Sequence, residues 1–287
     1  MTGADDRRGE DRDSPVLSIV LATLNERANI APLLGQLLAL DLPLLEIIVV
    51  DDGSVDGTRE YVQAVSQRET RVRLLWHDGP QTLTTAQLQG YLASSGKYVV
   101  VMDADLQHPP EIVPGIVRAL DSGARLAIAS RYVTMGGVEH RSTYRAVLSR
   151  GAEAMAKLAL PAARGVSDPI SGFFGFRAEL ARPLNPSTRG YKLLLFLLVL
   201  SQGNGVREIG YRFRPRTAGS SKIAHDFGFL GGFTAELLTA KRLDVWRKSG
   251  RSRSPALPPF PASGVEGMPR SRSSESQPAY TPGYPPP

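Results

Sequence analysis

Met102-Asp-Ala-Asp-Leu-Gln-His-Pro-Pro-Glu111 holds three oxygen-bearing side chains, Asp103, Asp105 and Gln107, at every second position. They follow directly on Tyr98 to Met102, a short β-branched apolar run that reads as a buried strand. In an extended segment the three would project to one side. Hard oxygen donors at the carboxyl end of a strand suit Mg2+ or Mn2+, which keep part of their shell for water and phosphate oxygens. The competing reading is a polar loop whose aspartates only cap the next helix. A second acidic stretch, Asp51-Asp-Gly-Ser-Val-Asp-Gly-Thr58, follows another apolar run, and far downstream lies a basic segment, Arg214-Pro-Arg-Thr-Ala-Gly-Ser-Ser-Lys222. A divalent ion with Arg216 and Lys222 would neutralise the charge that develops on a departing diphosphate.

The elements that must position these groups alternate. Val16 to Ala22, Leu45 to Val50, Val72 to Trp76, Tyr98 to Met102 and Arg125 to Ala129 read as strands. Between them lie helical patterns: Ile30, Leu33, Leu34, Leu37 and Leu38; a helix running to about Gln67; Thr84 to Ser94; and Glu111 to Leu120 behind two prolines. Such alternation implies βαβ units, an α/β fold with a mainly parallel sheet flanked by helices. Right-handed crossovers then bring Asp51, Asp52, Asp103, Asp105 and Gln107 to one sheet edge, where ligands of open α/β sheets bind. Crowded carboxylates there would call for a cation.

Beyond Arg131 the pattern changes. Arg141 to Leu160 is predicted helical, Ser167 to Arg177 is a turn feeding an aromatic strand, and Tyr191 to Ser201 is a helix apolar nearly all round. Arg207 to Phe213 alternates as a half-buried strand. The organisation predicted is a disordered tail over 1–14, one domain over 15–226, a terminal helix over 227–248 and a disordered Pro/Ser/Arg-rich tail over 249–287. The terminal helix reads equally as amphipathic on a membrane surface or packed on the domain.

Composition narrows the function. The chain has 287 residues, 42% hydrophobic and 22% charged, room for one sizeable core. With no cysteine there is no disulfide framework, thiol nucleophile or Cys-based zinc site. The net charge of +6 sits chiefly in the tail: residues 241–287 have eight Lys/Arg against three acids, residues 1–14 three against five. A basic tail suits anionic lipid, nucleic acid or plain solvation. Nucleic acid is not expected as a partner. No apolar run is long enough to span a bilayer, and the polar start lacks a signal-type apolar stretch, so a cytoplasmic protein is expected. No Walker loop, G-x-G-x-x-G fingerprint or G-x-S-x-G elbow occurs, which disfavours dinucleotide enzymes and serine hydrolases.

Six motifs in order resemble the inverting GT-A glycosyltransferases of family 2, within them the dolichyl- or polyprenyl-phosphate mannose synthase branch. They are Val49 to Thr58, Met102 to Glu111, Ser130-Arg-Tyr132, Ser149-Arg-Gly-Ala152, Asp168-Pro-Ile-Ser-Gly-Phe-Phe174, and Arg216-x-x-Gly219-x-Ser221-Lys222. The resemblance implies that Asp105 and Gln107 bind the metal and that Asp103 touches both metal and nucleotide. It further implies that Ala22, Leu24, Glu26, Val50 and Asp52 hold base and ribose, with Asp103, Ala104 and Asp105 alongside. Arg131 would lie near the phosphates, and Arg216 and Lys222 on a loop closing over the donor. Catalysis would rest on Asp103, Asp105, Arg131 and Arg216, with Mg2+ or Mn2+ as cofactor. The implied reaction moves mannose from GDP-mannose, or another sugar from a UDP-sugar, to a dolichyl or polyprenyl phosphate. That places the protein peripherally on the cytosolic membrane face, alone or with a membrane partner subunit.

Some residues depart from the family pattern. Ala22-Thr-Leu-Asn-Glu26 stands where the family usually has Pro-Thr-Tyr-Asn-Glu, Thr82-Leu-Thr84 replaces a Gly-Leu-Ser stretch, and Phe196 replaces a glutamate. A non-catalytic sugar-nucleotide-binding scaffold is therefore the rival expectation.

Overall fold

Near-continuous apolar runs need cover on both faces, and the first half of the chain supplies it by alternating strands with helices. The computed structural model describes residues 16–42, 45–76, 82–138, 143–184, 190, 192–216 and 227–249. Strands β1 (Leu17–Thr23), β2 (Leu45–Asp51), β3 (Val72–Trp76) and β4 (Tyr98–Asp103) alternate with helices α1 (Arg27–Leu38), α2 (Thr58–Ser66) and α3 (Leu83–Leu92). Then come α4 (Val113–Asp121), β5 (Leu126–Ser130), the short β6 (Gly137–Val138), α5 (Thr143–Ala159), β7 (Phe174–Arg177), α6 (Leu193–Ser201), β8 (Val206–Gly210), the short β9 (Arg212–Phe213) and α7 (Phe227–Lys248).

The main sheet runs β3-β2-β1-β4-β7-β5-β8. All neighbours are parallel except that β7 lies antiparallel between β4 and β5. The winding direction reverses between β1 and β4, whose last paired residues are Ala22 and Asp103. A crevice opens at such a reversal because the crossover helices leave to opposite sides. Alternate residues divide the core: Val20, Ile48, Val50, Val99 and Val101 face α3, α6 and α7, while Ile19, Leu21, Ile47, Val49, Val100 and Met102 face α1 and α4.

Every residue of α6 is buried. Each leucine of this all-round apolar helix stabilises the fold by about 1.5–3 kcal/mol relative to exposure. Phe196, like Phe173, Phe174 and Phe176, is core. Helix α7 covers α6 with Phe233, Leu237, Ala240 and Leu243 and leaves Leu238 and Val245 outside, so its inner face is that of a packed terminal helix. Among the described residues no helix is long and apolar enough to cross a membrane.

Two expectations change. The predicted strand Arg207 to Phe213 breaks at Tyr211: β8 joins the main sheet and β9 turns away to pair with β6. The extended course predicted for Asp103 to Gln107 ends at Asp103, because the chain bends and Leu106 takes a positive φ of 63°. The three side chains therefore do not alternate along one face.

Candidate active site

Asp103 ends β4 beside the end of β1, where the reversal leaves room. Its Oδ2 lies 3.2 Å from His108 Nε2, and His108 Nδ1 lies 3.0 Å from the Tyr211 hydroxyl. His108 is buried among Phe173, Tyr211 and Phe213, with ring centroids 5.2 to 5.7 Å away. This aromatic box fixes the imidazole and, through it, the carboxylate. Gly172 closes the box, since a Cβ there would stand 2.8 Å from Asp103 Oδ2. Burial pushes the Asp103 carboxyl up, but His108, Lys192 and Arg216 override it, and the group titrates below the usual carboxylate range.

Asp105 lies deeper. Burial and then the charge of Asp103 push its carboxyl up, the signature of two acids sharing too little solvent. Arg216 answers that crowding, with Nη2 2.6 Å from Asp105 Oδ2 and Nη1 3.6 Å from Glu26 Oε1. The segment bearing Arg216 is tied down one step earlier. Arg214 N donates to the Gln107 carbonyl at 3.0 Å, and Gln107 Nε2 donates to the Arg214 carbonyl at the same distance. Arg214 also pairs with Glu111. Asp105 Oδ1 accepts from Gln107 N at 3.1 Å. Arg214 and Arg216 thus lie at the acidic turn after β4, and residues 217–222 of the basic segment fall outside the described residues.

Arg131 follows β5 and is held differently. Its Nε and Nη2 each donate at 2.7 Å to the fully buried Asp168, and its backbone N donates to the same carboxylate at 3.1 Å. Burial works against the cation, but the Asp168 pair overrides it and holds Arg131 more firmly protonated. Asp168 is oriented in turn by Glu208 on β8, which accepts from the backbone N–H groups of Ser167 and Asp168. Arg131 is thereby a rigid cation, with Nη1 outside the bidentate pair.

The remaining predicted residues separate. Glu26 is buried and accepts from Asn29 Nδ2 at 2.6 Å, while Ala22 and Leu24 are partly exposed at the β1 end. Val50 is wholly buried in the core, so only its backbone can face a nucleotide. Asp52 is partly exposed and its N–H donates to Thr23 O at 2.9 Å, and Ala104 is buried beside Asp103. Asp51 does not join the acidic cluster. It is fully buried, accepting from Thr23 Oγ1 at 3.1 Å and from Ser54 N at 2.9 Å, which makes it the staple of its own turn. Lys222 and Arg141 lie outside the described residues.

Sequence reasoning missed His108, Asp168, Glu208 and Lys192 as parts of the site. His108 and Asp168 sat inside quoted motifs, and only their partners reveal what they do. Lys192 gave no signal beyond being a lone cation before an apolar helix. Burial pushes its ammonium down, partly offset by Asp103. The donor set of Asp103, Asp105 and the Gln107 amide is hard and oxygen-rich, chemistry that fits a divalent cation. Among the described residues no three His, Cys, Asp or Glu side chains gather as a metal group.

An acidic turn at a winding reversal, met by a cationic segment, is the layout of a GT-A glycosyltransferase, and residues 18–184 match Glycosyl transferase family 2. The chain belongs to that family. It is 38% identical over 208 residues to a dolichol-phosphate mannosyltransferase of Pyrococcus furiosus, covering 72% of this chain and 59% of that one, so it spans under two thirds of that relative. It is 34% identical to the dolichol-phosphate mannosyltransferase of Saccharomyces cerevisiae, over 72% of this chain and 80% of the yeast protein. A polyprenol monophosphomannose synthase of Mycolicibacterium smegmatis is 32% identical, with 72% and 80% covered. The fold is shared with glucosyl-3-phosphoglycerate synthase of Mycobacterium tuberculosis, solved with Mn2+, UDP-glucose and phosphoglyceric acid, at a TM-score of 0.61 and 22% identity over 79% of this chain and 80% of that one.

Proposed function

We propose that this protein transfers a mannosyl group from GDP-mannose to the phosphate of a dolichyl or polyprenyl lipid, with inversion, assisted by Mg2+ or Mn2+. The observation that carries the reading is Arg216, drawn from the far end of the domain onto Asp105 and Glu26 together. That contact sets a positive charge beside the carboxylates that would hold a divalent cation. The mannosyltransferase relatives support the choice of sugar and acceptor.

In this reading Asp103, Asp105 and Gln107 hold the cation, which when bound supplies charge neutralisation to the donor diphosphate. Arg216 exchanges its carboxylate partners for the diphosphate, and Lys222 is the second cation assigned to the donor phosphates. Arg131, held by Asp168, presents a fixed positive charge to the phosphates. Glu26, Asp52 and the backbone at Ala22, Leu24 and Val50 receive base and ribose. A lipid phosphate is already largely dianionic, with a second pKa of about 6, so its oxygen attacks the anomeric carbon without a base. The new bond from that carbon to the phosphate oxygen forms as the bond to GDP breaks, and GDP leaves with the electron pair. Asp103 has no proton to remove. The protein's work is positioning and charge.

The acceptor places the enzyme at a membrane. Exposed Val147, Leu148 and Leu158 on α5, with Leu238 and Val245 beside Lys241, Arg242 and Lys248 on α7, support peripheral attachment at the cytosolic face. A membrane partner subunit is the alternative anchor.

The test is transfer from radiolabelled GDP-mannose and UDP-glucose to a short polyprenyl phosphate, with and without Mn2+. Metal-dependent mannolipid is the expected product. Product from the UDP-sugar alone reassigns the donor, and donor binding without turnover on any lipid phosphate overturns the enzyme reading in favour of a scaffold.

A further inference from the structure

Glu236 is a fully buried acid in the middle of a helix that otherwise contributes apolar packing. Its Oε1 accepts the backbone N–H of Lys192 at 2.8 Å. Two residues earlier the fit is tighter still: a Cβ on Gly190 would stand 2.3 Å from the same oxygen, so any larger residue would have to push this carboxylate aside. From the other side Thr82, the N-cap of α3, accepts the Gly190 N–H at 3.1 Å, while the Gly190 carbonyl accepts from Thr84 N at 3.0 Å. Gly190 is therefore held by the cap of α3 and Lys192 by α7, just before α6 begins. The Lys192 ammonium is favoured by Asp103, Glu236 and Asp168 and opposed by Arg131, and Lys192 in turn helps hold the Asp103 carboxyl down. A buried carboxylate is costly unless it is used, and here it satisfies the backbone donor of Lys192 and its charge favours the Lys192 ammonium.

We propose that Glu236 is a positioning residue for Lys192: from α7 it holds the Lys192 backbone, as Thr82 holds that of Gly190, and so sets the Lys192 charge toward Asp103, where negative charge builds up during transfer. The inference rests on the mannosyl-transfer reading for its kinetic consequence, though not for its structural one. Helix α7 thereby contributes to the active site although none of its side chains is asked to touch the donor.

Two variants separate geometry from charge. Glu236→Gln keeps an oxygen that can accept the Lys192 N–H, and Glu236→Ala removes it. In the full chain, hydrogen exchange at the Lys192 amide should quicken about tenfold or more in Glu236→Ala and stay near wild type in Glu236→Gln, with amides of β1 and β4 unchanged in both. Transfer should show kcat down about tenfold in Glu236→Ala, with KM for the sugar nucleotide within about twofold, and with Glu236→Gln recovering most of kcat. Lys192→Met should lower kcat further, and the Lys192→Met/Glu236→Ala pair should be no worse than Lys192→Met alone. Exchange quickened across the whole sheet, an unchanged kcat in Glu236→Ala, or additive effects in the pair would each overturn the proposal. If wild type transfers to no lipid phosphate, the function fails, while the exchange experiment still decides whether Glu236 holds the Lys192 backbone.

Discussion

Two acidic turns stand at the same sheet edge, one after β2 and one after β4, and the molecule treats them oppositely. Asp51 after β2 finds its partners close at hand, Ser54 three residues on and Thr23 on the neighbouring strand. Asp105 after β4 finds its partner more than a hundred residues away in Arg216, and Asp103 leans on His108, whose other ring nitrogen meets the equally distant Tyr211. An acid satisfied by its own turn is scaffolding. An acid satisfied by a segment from the other end of the domain can exchange that partner for a ligand. Similar residue types at similar positions thus carry different work, and the sequence distance of the partner tells them apart.

That contrast can be broken in order of effect. Asp105→Ala should reduce transfer by about a thousandfold or more while the melting temperature stays within a few degrees, checked by lipid-transfer assay and calorimetry. Activity within tenfold of wild type would remove the acidic turn after β4 from the chemistry. Arg216→Ala should cost about a hundredfold in kcat, because the cation expected on the departing diphosphate is gone; Arg216→Lys, which keeps the charge without the fork, should recover part of it. Asp51→Ala should do the reverse, destabilising the fold by about 1–3 kcal/mol in urea titration with kcat nearly unchanged, since it strands Thr23 and the Ser54 amide. A large kcat loss there would erase the distinction between the turns.

The smallest effect lies at the opposite edge of the sheet, far from the site. Burial pushes the Glu46 carboxyl up, but Ser18, the Ser95 N–H and Arg73 outweigh it and hold the group below 4.5. Its folded pKa is depressed, so its contribution is fully present above the unfolded value and is lost as pH falls through the folded one. Glu46→Gln should flatten the fall in stability below about pH 4.5 and leave the pH profile of transfer unaltered.

Much of this was legible in residue order. The strand and helix alternation from β1 to β5 follows from apolar periodicity, because buried parallel strands and amphipathic helices impose distinct repeats. The second half was harder to read. Strand β7 gives no local sign that it inserts antiparallel between β4 and β5, since an aromatic run has no direction until its neighbours pair with it. Tyr211 looks like one more strand residue, yet the chain leaves the main sheet there so that its hydroxyl reaches His108.

The sequence alone determined the chemistry on offer: two carboxylates and an amide after one strand, two cations on a Gly-containing segment, and a sheet whose winding brings strand ends to one edge. Those properties are local, set by side-chain type and short-range spacing. Tertiary structure decided which acids are free to act, that Arg131 is fixed by Asp168, and that Glu236 and Lys192 meet at all. Such facts depend on long-range pairing and burial, and a residue's charge becomes costly or useful only once the folded chain has chosen what surrounds it.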